Sequence, residues 1–440
     1  MLRLGKASLS AWPIGKPQAC GKAARTQSSR LFSSDRELTP QTLDEENVRR
    51  DVSTDNAATW PYSDFSNELL AGRASRNGPR SGRIGQTRLA MQVFFPTETA
   101  RHDPAFEVIE GGLRVPYSDA CERVPRVVTA LRQHGVGDPQ PAPACDLGML
   151  SSLHAPDYLD FLACAYADWQ VEAPRHAWPP GTPLLPALSS PRRPRPPGSA
   201  ALQSVFARAG YYVLDLAAPI TAGTWSAALD SAGCAIAAAQ AVLSGQRAAF
   251  AVCRPPGHHA GRDFAAGFCY LNNAALAAQR LQTRIGARIA LVDIDYHAGH
   301  GTQDLFYLRD DVVTLSLHAD PAWEYPFYSG HADEVGEGPG HGYHRNLPLP
   351  RGIDDARYLD ALDSGLVWLM RQRPQALVVS AGLDLAIDDP VGTFAITRAG
   401  LLQIGARLAA LRLPTVLVLE GGYALDSLGD NLVALLAAFA

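Results

Sequence analysis

The sequence predicts an α/β domain built on a single open parallel β-sheet, with helices covering both faces of the sheet. Two observations lead to this fold class. The segments predicted as strands are short and continuously apolar, which is typical of strands buried on both faces. Longer segments with the apolar period of a helix lie between and after them, an alternation typical of parallel sheets. The composition, with 47% hydrophobic and 19% charged residues, is that of an ordinary globular protein.

Five strands and five helices carry this alternation. Strands are predicted at residues 248–253, 288–296, 312–318, 376–380 and 415–420. Helices are predicted at residues 225–244, 271–283, 356–372, 397–411 and 425–438. A further apolar run, at residues 92–96, marks the point where we expect the compact domain to begin.

The N-terminal part of the chain is expected to lie outside that domain. Residues 1–34 contain six Lys or Arg, six Ser and no Asp or Glu, a composition typical of an organelle transit peptide. Residues 35–88 are polar and lack apolar periodicity. We therefore predict a disordered leader or a targeting segment over residues 1–88 and a compact domain over residues 89–440. The predicted compartment is the cytoplasm, or the mitochondrion if the basic leader is a transit peptide.

A proline-rich segment interrupts the domain. Residues 174–197 hold nine prolines, with Arg192, Arg193 and Arg195 among them. Proline lacks a backbone donor and disrupts helices and central strands. Loops of this length inside a domain are usually functional or disordered. We predict a loop insertion over residues 172–200.

Charge and cysteine content argue against several classes of protein. A formal net charge of −5 lacks the basic footprint of a nucleic-acid-binding protein. No apolar run reaches 18 residues, which argues against a membrane span. The seven cysteines lie far apart without a C-x-x-C pair, which favours reduced thiols over a disulfide scaffold or a cysteine-based zinc module.

Polar side chains follow four of the predicted strands, at the points where the strands end. In chain order they are His258 and His259, then Asp293, Asp295 and His297, then Asp384, and finally Tyr423. Ligands of open α/β sheets bind outside the carboxyl ends of the strands. We therefore predict that these side chains converge on one edge of the sheet.

The pattern of Asp295, His297 and Asp384 indicates a catalytic zinc site. Asp295 and His297 are two residues apart, so in an extended segment both side chains point the same way. Asp384 arrives from a neighbouring strand. Two carboxylates and one imidazole leave a fourth position open, as in catalytic rather than structural zinc sites. A lone Asp-x-His pair could instead cap a strand end without a metal, but its occurrence with tandem histidines and Gly-Gly-Tyr favours the metal.

The motifs resemble those of the zinc-dependent histone deacetylase superfamily. They are RPPGHHA (254–260), GFCYLNNAALAA (267–278), DIDYHAGHGTQDLFY (293–307), SAGLD (380–384), DDP (388–390) and LEGGY (419–423). Within the superfamily, the sequence is most similar to the acetylpolyamine amidohydrolases and related class II deacetylase-like proteins. The resemblance covers roughly residues 91–440 and implies the arginase/deacetylase-like version of the α/β fold.

The resemblance also implies roles for individual residues. One zinc ion is expected on Asp295, His297 and Asp384, with His258 and His259 as paired acid/base histidines and Tyr423 as the oxyanion donor. Asp293 is expected to orient His258, and His300 to orient His259. Gly267 and Phe268 match a substrate tunnel wall. A structural potassium ion is expected beside Asp293, Asp295, His297, Ser316 and Leu317. The proline-rich loop is expected to narrow the entrance or to form a homodimer contact.

Elementary chemistry supports these roles. A positioned imidazole can take a proton from water and return it to a leaving amine. A tyrosine hydroxyl on a Gly-Gly turn can donate to the oxyanion of a tetrahedral intermediate. A carboxylate behind His258 would fix its tautomer.

Two positions depart from the family pattern D-x-H-H-G-N/D-G. Ala298 stands for the second histidine, and His300 for the Asn or Asp that orients His259. A neutral imidazole can accept a hydrogen bond from His259, whereas a protonated one cannot. We therefore expect His300 to make activity sensitive to acid, and a catalytically weakened acyl-group-binding homologue is the alternative function.

The predicted function is zinc-dependent hydrolysis of N-acetyl or other N-acyl amides of lysine side chains or polyamines. A binuclear manganese ureohydrolase, such as arginase, is disfavoured because Ala298 and Gly299 stand where a second metal needs carboxylates. Val391 is apolar where a site that binds polyamines would favour Glu. We therefore expect acyl-lysine substrates to be turned over at least as well as acetylpolyamines, unless Asp320 or Glu324 supplies the negative charge. Neither nucleic acid nor a membrane is an expected partner.

Overall fold

The computed structural model describes residues 91–109, 112–190 and 202–439. Predictions about residues 1–88 and about the arginines at 192–195 lie outside the described residues. The ten strands within these ranges are β1 (Gln92–Phe95), β2 (Glu107–Ile109), β3 (Leu113–Val115), β4 (Asp138–Pro141), β5 (Ala248–Ala251), β6 (Ile289–Asp293), β7 (Val312–Ala319), β8 (His344–Leu349), β9 (Ala376–Ala381) and β10 (Thr415–Leu419).

Ten α-helices accompany these strands in the described part of the chain. They are α1 (Arg123–His134), α2 (Leu147–Leu150), α3 (Pro156–Glu172), α4 (Val205–Tyr212), α5 (Thr224–Leu243), α6 (Asn273–Ile285), α7 (His300–Phe306), α8 (Asp355–Arg371), α9 (Arg398–Ala410) and α10 (Leu428–Leu436). Short 3-10 turns occur at Thr99–Arg101, Ala173–His176 and Gly338–Gly340.

Eight strands form one parallel sheet in the order β4-β1-β5-β10-β9-β6-β7-β8. This arrangement confirms the predicted fold class. The remaining two strands, β2 and β3, form a separate antiparallel hairpin. All five strands predicted from apolar runs lie in the sheet, and the run at 92–96 is β1.

Helices cover both faces of the sheet, and alternate residues of each strand enter different cores. In β5, Ala249 and Ala251 belong to one hydrophobic cluster and Phe250 to the other. The first cluster includes residues of α3, α5 and α6, and the second includes residues of α1, α8, α9 and α10. The strands are continuously apolar because both of their faces are buried, as predicted.

The two edge strands were not predicted, because both contain proline. β4 has the sequence Asp-Pro-Gln-Pro, and β8 carries Pro348. Proline cannot donate to the hydrogen-bond ladder, so within sheets it is confined to edges and bulges. Proline in these segments argues against a central strand but is compatible with an edge strand.

Helix α5 is long and apolar enough, at a mean hydropathy of 1.3, to cross a membrane by length and composition alone. In the fold it is a core helix: 67% of that window is buried, and residues such as Ala235, Ala238 and Ala239 belong to the first hydrophobic cluster. Packing, rather than the length of an apolar run, is therefore what identifies this helix as part of a globular core.

The described part of the proline-rich segment is irregular beyond the Ala173–His176 turn, but it contributes to the core. Leu184 is 1% exposed and exchanges two backbone hydrogen bonds with Ile220, of 2.8 and 2.9 Å. The indole N–H of Trp169 donates to the carbonyl of Thr182 at 2.7 Å. The segment is thus anchored on α3 and on the chain before α5.

His154 connects the loop after β5 to the start of α6. Its Nδ1 lies 2.8 Å from the carbonyl oxygen of Gly261, and its Nε2 accepts from the backbone N–H of Asn272 at 3.1 Å. Asn272 in turn caps α6 by accepting from Ala275 N. Burial lowers the pKa of His154 to about 4. Accepting with one nitrogen and donating with the other requires the neutral ring.

We predict that the stability contributed by His154 declines as the pH falls. The folded-state pKa of about 4 lies below the ordinary histidine value of 6.5, so below pH 6.5 the unfolded chain binds a proton that the native ring does not bind. Wild type should lose about 1.4 kcal/mol per pH unit through this residue between pH 6.5 and 4. Urea unfolding of wild type and His154→Ala at pH 7, 6 and 5 measures it. A stability difference that stays constant over this range would contradict the prediction.

Candidate active site

The predicted site residues meet at the carboxyl ends of four adjacent strands. β5, β10, β9 and β6 are neighbours in the sheet, and the chain after each of them supplies site residues. His258 and His259 follow β5, Glu420 to Tyr423 follow β10, Asp384 follows β9, and Asp293 to His297 end or follow β6. The parallel register places Asp293 opposite Ser380 and Leu419 opposite Ala381, so these strands end at nearly the same level.

Asp295, His297 and Asp384 form one compact ligand cluster. Their ligand atoms all lie within 4.8 Å of one another. His297 Nδ1 is 3.3 Å from Asp295 Oδ1 and 3.1 Å from Asp384 Oδ2. The two carboxylates are 1% and 0% exposed, while the His297 side chain is 15% exposed. The cluster is thus reached from solvent on the side of the imidazole.

Backbone groups hold the outer oxygens of both carboxylates. Gly421 N donates to Asp295 Oδ2 at 2.9 Å, and Tyr296 N donates to Asp384 Oδ1 at 3.1 Å. Glycine is required beside them, because a Cβ at Gly382 would lie 2.2 Å from Asp295 Oδ2 and a Cβ at Gly421 would lie 2.4 Å from Asp384 Oδ2. The remaining oxygens face His297.

This donor set fits a small divalent cation such as zinc. Tetrahedral zinc with bonds of about 2.0–2.1 Å separates its ligand atoms by roughly 3.3 Å, close to the separations of 3.1 and 3.3 Å found here. Two buried carboxylates also need positive charge. Burial and the charge of Asp295 raise the pKa of Asp384 to about 7. Burial alone would lower the pKa of His297, but hydrogen bonds to Asp295 and Asp384 raise it to about 10.

The tandem histidines have different partners. His258 Nδ1 lies 3.0 Å from Asp293 Oδ2, whereas His259 Nδ1 lies 3.2 Å from Nδ1 of His300. The two rings are adjacent, with centroids 3.9 Å apart. Burial opposes charge on His258, but Asp295 and Asp293 outweigh it and raise its pKa to about 10. Burial, together with the charge of His258, lowers the pKa of His259 well below the usual range.

The surroundings of His300 argue against the expected acid sensitivity of the activity, which stays a prediction. Burial, together with the charge of His258, lowers the pKa of His300 to about 3. The ring is only 4% exposed. The low pKa favours the neutral ring of His300, whose Nδ1 lies within hydrogen-bond distance of His259 Nδ1.

Glu420 fixes the backbone of the tandem histidines, a role that the sequence analysis missed. The carboxylate is fully buried, and its Oε2 accepts from Gly257 N at 2.6 Å and from His258 N at 3.1 Å. Its Oε1 accepts from Ser380 Oγ at 3.2 Å. Burial raises the pKa of Glu420 to about 7. The sequence signals were a charged residue at the end of an otherwise apolar strand and its place in the motif LEGGY.

Two further residues that the sequence analysis missed hold the turn of Tyr423. Asp389 Oδ2 accepts from Tyr423 N at 2.6 Å and from Ala424 N at 3.0 Å. Arg123 Nε donates to Gly422 O at 2.7 Å, and its guanidinium lies 5.1 Å from the centroid of the Tyr423 ring. Gly422 has a φ of +120°, which favours glycine. Burial raises the pKa of Tyr423 well above 10, so its hydroxyl remains a donor.

Gly267 and Phe268, the expected tunnel wall, lie at the approach to His259 and Tyr423. A Cβ at Gly267 would lie 2.5 Å from His259 Cδ2, so the chain passes directly against that ring. The Phe268 ring makes an edge contact with Tyr423 at 5.8 Å between centroids. Tyr325, which the sequence analysis missed, lies 5.0 Å from the His259 ring. Asp215 accepts from both sides of this approach, from Gly267 N at 2.9 Å and from the Tyr325 hydroxyl at 2.6 Å.

The residues expected around a potassium ion lie at the end of the β6–β7 pair. Asp293 pairs with Ser316 in the parallel register, and Leu317 follows Ser316 in the buried strand β7. Ser316 Oγ lies 2.6 Å from His318 Nδ1. The potassium ion itself stays a prediction.

These features together define an α/β protein with three residues that could hold a metal ion, paired histidines and a tyrosine at the carboxyl edge of its sheet. A family model described as the histone deacetylase domain matches residues 118–439. The chain belongs to the histone deacetylase family.

Within the family, the chain is similar to proteins named acetylpolyamine amidohydrolases. The chain is 40% identical over 333 residues to acetylpolyamine amidohydrolase 1 of Pseudomonas aeruginosa, covering 76% of this chain and 94% of the relative. It is 41% identical over 343 residues to acetylpolyamine amidohydrolase of Burkholderia pseudomallei, covering 78% and 96%. A crystal structure of the acetylpolyamine aminohydrolase from Burkholderia pseudomallei matches with a TM-score of 0.74 at 39% identity, covering 80% of this chain and 98% of that one.

We predict that His297→Ala removes the metal ion, because the remaining two carboxylates lose the only nitrogen ligand. Elemental analysis should give one divalent ion per wild-type chain and a substoichiometric amount in the variant. His134→Ala, a change at a half-exposed histidine on α1, is the matched control and should retain the ion. Stoichiometric metal in His297→Ala would refute the ligand assignment.

Proposed function

We propose that the protein is a zinc-dependent amidohydrolase that removes the acetyl group from acetylated polyamines. The observation that carries the hydrolytic function is the convergence of Asp295, His297 and Asp384 with the tandem histidines and Tyr423 at one edge of the sheet. The names of the relatives, acetylpolyamine amidohydrolases, support the substrate class.

When bound, the zinc ion supplies Lewis acidity toward the amide carbonyl and the attacking water. The chain's own residues do the rest. The tandem histidines lie beside the ligand cluster, where an imidazole can take the proton of the water and return it to the leaving amine. Tyr423 keeps its hydroxyl proton and donates a hydrogen bond to the oxyanion. Phe268 and Tyr325 exclude water from the aliphatic part of the substrate.

The acidic groups beside the approach favour a cationic amine. Asp215 lies between Gly267 and Tyr325, at the wall that an alkyl chain would follow. Glu107 on the hairpin is 2% exposed, and its pKa is raised by burial and by the charges of Asp119 and Asp215. A polyamine has ammonium groups that could compensate this negative charge, whereas an uncharged acyl chain has none.

This arrangement argues against the expectation that acyl-lysine substrates would be turned over at least as well. That expectation depended on the apolar Val391 and on the arginines at 192–195, with Asp320 and Glu324 as the residues that could supply the missing negative charge. Glu324 pairs with Arg351 at 2.6 Å, and Asp320 accepts from Ala322 N. Asp215, rather than these residues, supplies the charge beside the tunnel wall in this proposal.

Other expectations from the sequence belong to the proposal. They are a structural potassium ion beside Asp293 and Ser316, a homodimer contact through the proline-rich loop, and a cytoplasmic location, or a mitochondrial one if residues 1–34 direct import.

We predict that Asp215→Asn lowers kcat/KM for monoacetylated spermidine by about ten- to hundred-fold, the value of one charge-assisted hydrogen bond. The same variant should change turnover of an acetyl-lysine peptide less. Glu324→Gln is the matched control, since Arg351 already compensates its charge. A wild-type kcat/KM that is higher for the peptide than for acetylspermidine would overturn the polyamine assignment. An absence of turnover on every acetyl amide would instead support a weakened homologue.

We predict that Tyr423→Phe keeps the fold and the metal ion but lowers kcat by about 10²–10³, the usual effect of losing one oxyanion donor. Steady-state kinetics on acetylspermidine, with metal content measured on the same sample, tests this. A kcat within a few-fold of wild type would show that Tyr423 is only a packing residue.

A further inference from the structure

A row of arginines lies at the edge of the sheet opposite the candidate active site. The strands β5, β10, β9 and β6 are neighbours in the sheet, and the connection that leads from a helix into each of them contains one arginine and no Asp or Glu. These connections are residues 244–247, 411–414, 372–375 and 286–288, with Arg247, Arg412, Arg373 and Arg288. The last turns of α6 and α8 add Arg284 and Arg371. We call these six residues the amino-edge arginines.

The parallel register brings the four connections side by side. Thr415 at the start of β10 lies opposite both Ala248 and Leu377, and Ile289 at the start of β6 lies opposite Ala376. The four strands therefore begin at nearly the same level. Because adjacent strands are about 4.8 Å apart, the row extends over about 14 Å from β5 to β6.

Positive charge at this edge is largely uncompensated. Within the described residues, all amino-edge arginines except Arg288 are exposed and have neither an ion pair nor a side-chain hydrogen bond. Arg288 lies 3.6 Å from the Asp310 carboxylate and donates to the carbonyls of Asp310 and Gln372. The neighbouring Asp311 is compensated by Arg309. Each of the four helix ends adds about half a negative charge, so six guanidinium groups outweigh these ends and Asp310 by about three charges.

Two of the amino-edge arginines occupy backbone positions that favour glycine. Arg373 and Arg412 follow the ends of α8 and α9 with φ values of 56° and 57°. Gly286 occupies the equivalent left-handed position after α6, as glycine commonly does at the end of a helix. A side chain in this conformation lowers stability. Local strain of this kind is found where the side chain has a function, which directs attention to what the two guanidinium groups bind.

The chemistry of the row favours a nucleic acid among the possible polyanions. Guanidinium groups bind phosphate oxygens in a fork, and a duplex with one charge per about 1.7 Å releases counterions when its phosphates are bound. Exposed ion pairs with carboxylates stabilise a complex little, so an acidic protein would need apolar anchors as well. None of the four connections exposes a large apolar side chain. None contains an aromatic residue on which a base could stack, so contacts are limited to the backbone.

We propose that the amino-edge arginines bind the phosphate backbone of duplex nucleic acid without regard to its sequence. A row of about 14 Å meets about four phosphates of one strand, which follow one another at about 3.4 Å. The expectation that nucleic acid is not a partner depended on the net charge of −5, a sum over the whole chain that does not record this local arrangement. The surface lies at the opposite edge from the candidate active site, so the inference is independent of the proposed amidohydrolase function.

Binding of the full chain to a short, fluorescently labelled DNA duplex of mixed sequence tests the surface. In the triple variant Arg247→Gln, Arg373→Gln and Arg412→Gln, fluorescence anisotropy should give a Kd about ten-fold or more above wild type at about 50 mM salt. The slope of log Kd against log salt concentration should fall by about three, because each lost phosphate contact removes about one. Turnover of acetylspermidine should be unchanged, which shows that the variant is folded.

A second triple variant removes the same charge elsewhere. Arg114→Gln, Arg262→Gln and Arg357→Gln change exposed arginines in segments that follow the carboxyl ends of β1, β5 and β8. Its Kd should stay within about three-fold of wild type, since non-specific attraction depends on net charge only weakly. The basic residues at 1–34 are present in both variants, so any binding by them cancels in the comparison. Equal weakening in the two triple variants would overturn the proposal, and so would wild-type affinity in the edge variant.

Other polyanions serve as competing partners in the same assay. Phosphatidylserine vesicles and polyglutamate carry dense negative charge without a duplex backbone. A larger loss of affinity for either of them than for the duplex, on changing the edge arginines, would overturn nucleic acid as the partner.

Glycine at the two strained positions separates binding from stability. In the double variant Arg373→Gly and Arg412→Gly, the left-handed backbone is relieved, so Tm should stay the same or rise. Two phosphate contacts are lost, so the salt slope should fall by about two. Arginines that served only to stabilise the helix ends would instead give a lower Tm with wild-type affinity for the duplex. Wild-type affinity overturns the proposal whatever the Tm.

Discussion

Buried negative charge at the carboxyl edge of the sheet is the constraint on which the site depends. Asp293, Asp295, Asp384 and Glu420 are each no more than 2% exposed. Such carboxylates are stable only where donors or cations are directed at them. Strand ends provide these donors, because the backbone N–H groups of the following loops point into the same space. The orientation of His258 and the glycines of the loops follow from satisfying this charge, and a bound cation would satisfy it further.

The alanine that departs from the family pattern has a steric explanation. A Cβ placed on Gly330 would lie 2.6 Å from the Cβ of Ala298, so the backbone at Gly330 lies directly against residue 298. His318 Nε2 donates to the carbonyl of Gly330 at 2.8 Å and fixes this approach. The same loop carries Tyr325, whose ring contacts His259. A small side chain at position 298 therefore allows the aromatic loop to pack closely behind the histidines.

The sequence predicted those parts of the molecule that depend on local pattern. The five apolar strands and the pair Asp295 and His297 follow from runs and spacings of a few residues, whereas Asp384, 87 residues from His297, was included because it follows a neighbouring predicted strand and matches a family motif. The parts it did not predict depend on contacts between distant segments. Arg123 lies 299 residues from the Gly422 carbonyl that it binds, and Glu420 lies 163 residues from Gly257. Nothing in a single sequence records such pairs.

The prolines of the edge strands bear on how copies of the protein can associate. In β4, Asp138 N and the following Ala142 N donate inward to β1, so the alternate positions 139 and 141 face outward, and both are proline. In β8, the carbonyls of Tyr343 and Leu349 face β7, which places Pro348 among the outward positions. An exposed edge normally offers a row of N–H groups to another strand. Here β4 offers no backbone N–H group at positions 139 and 141, and β8 offers none at position 348. These prolines therefore oppose growth of the sheet by edge-to-edge pairing. Association between copies is left to helix and loop surfaces.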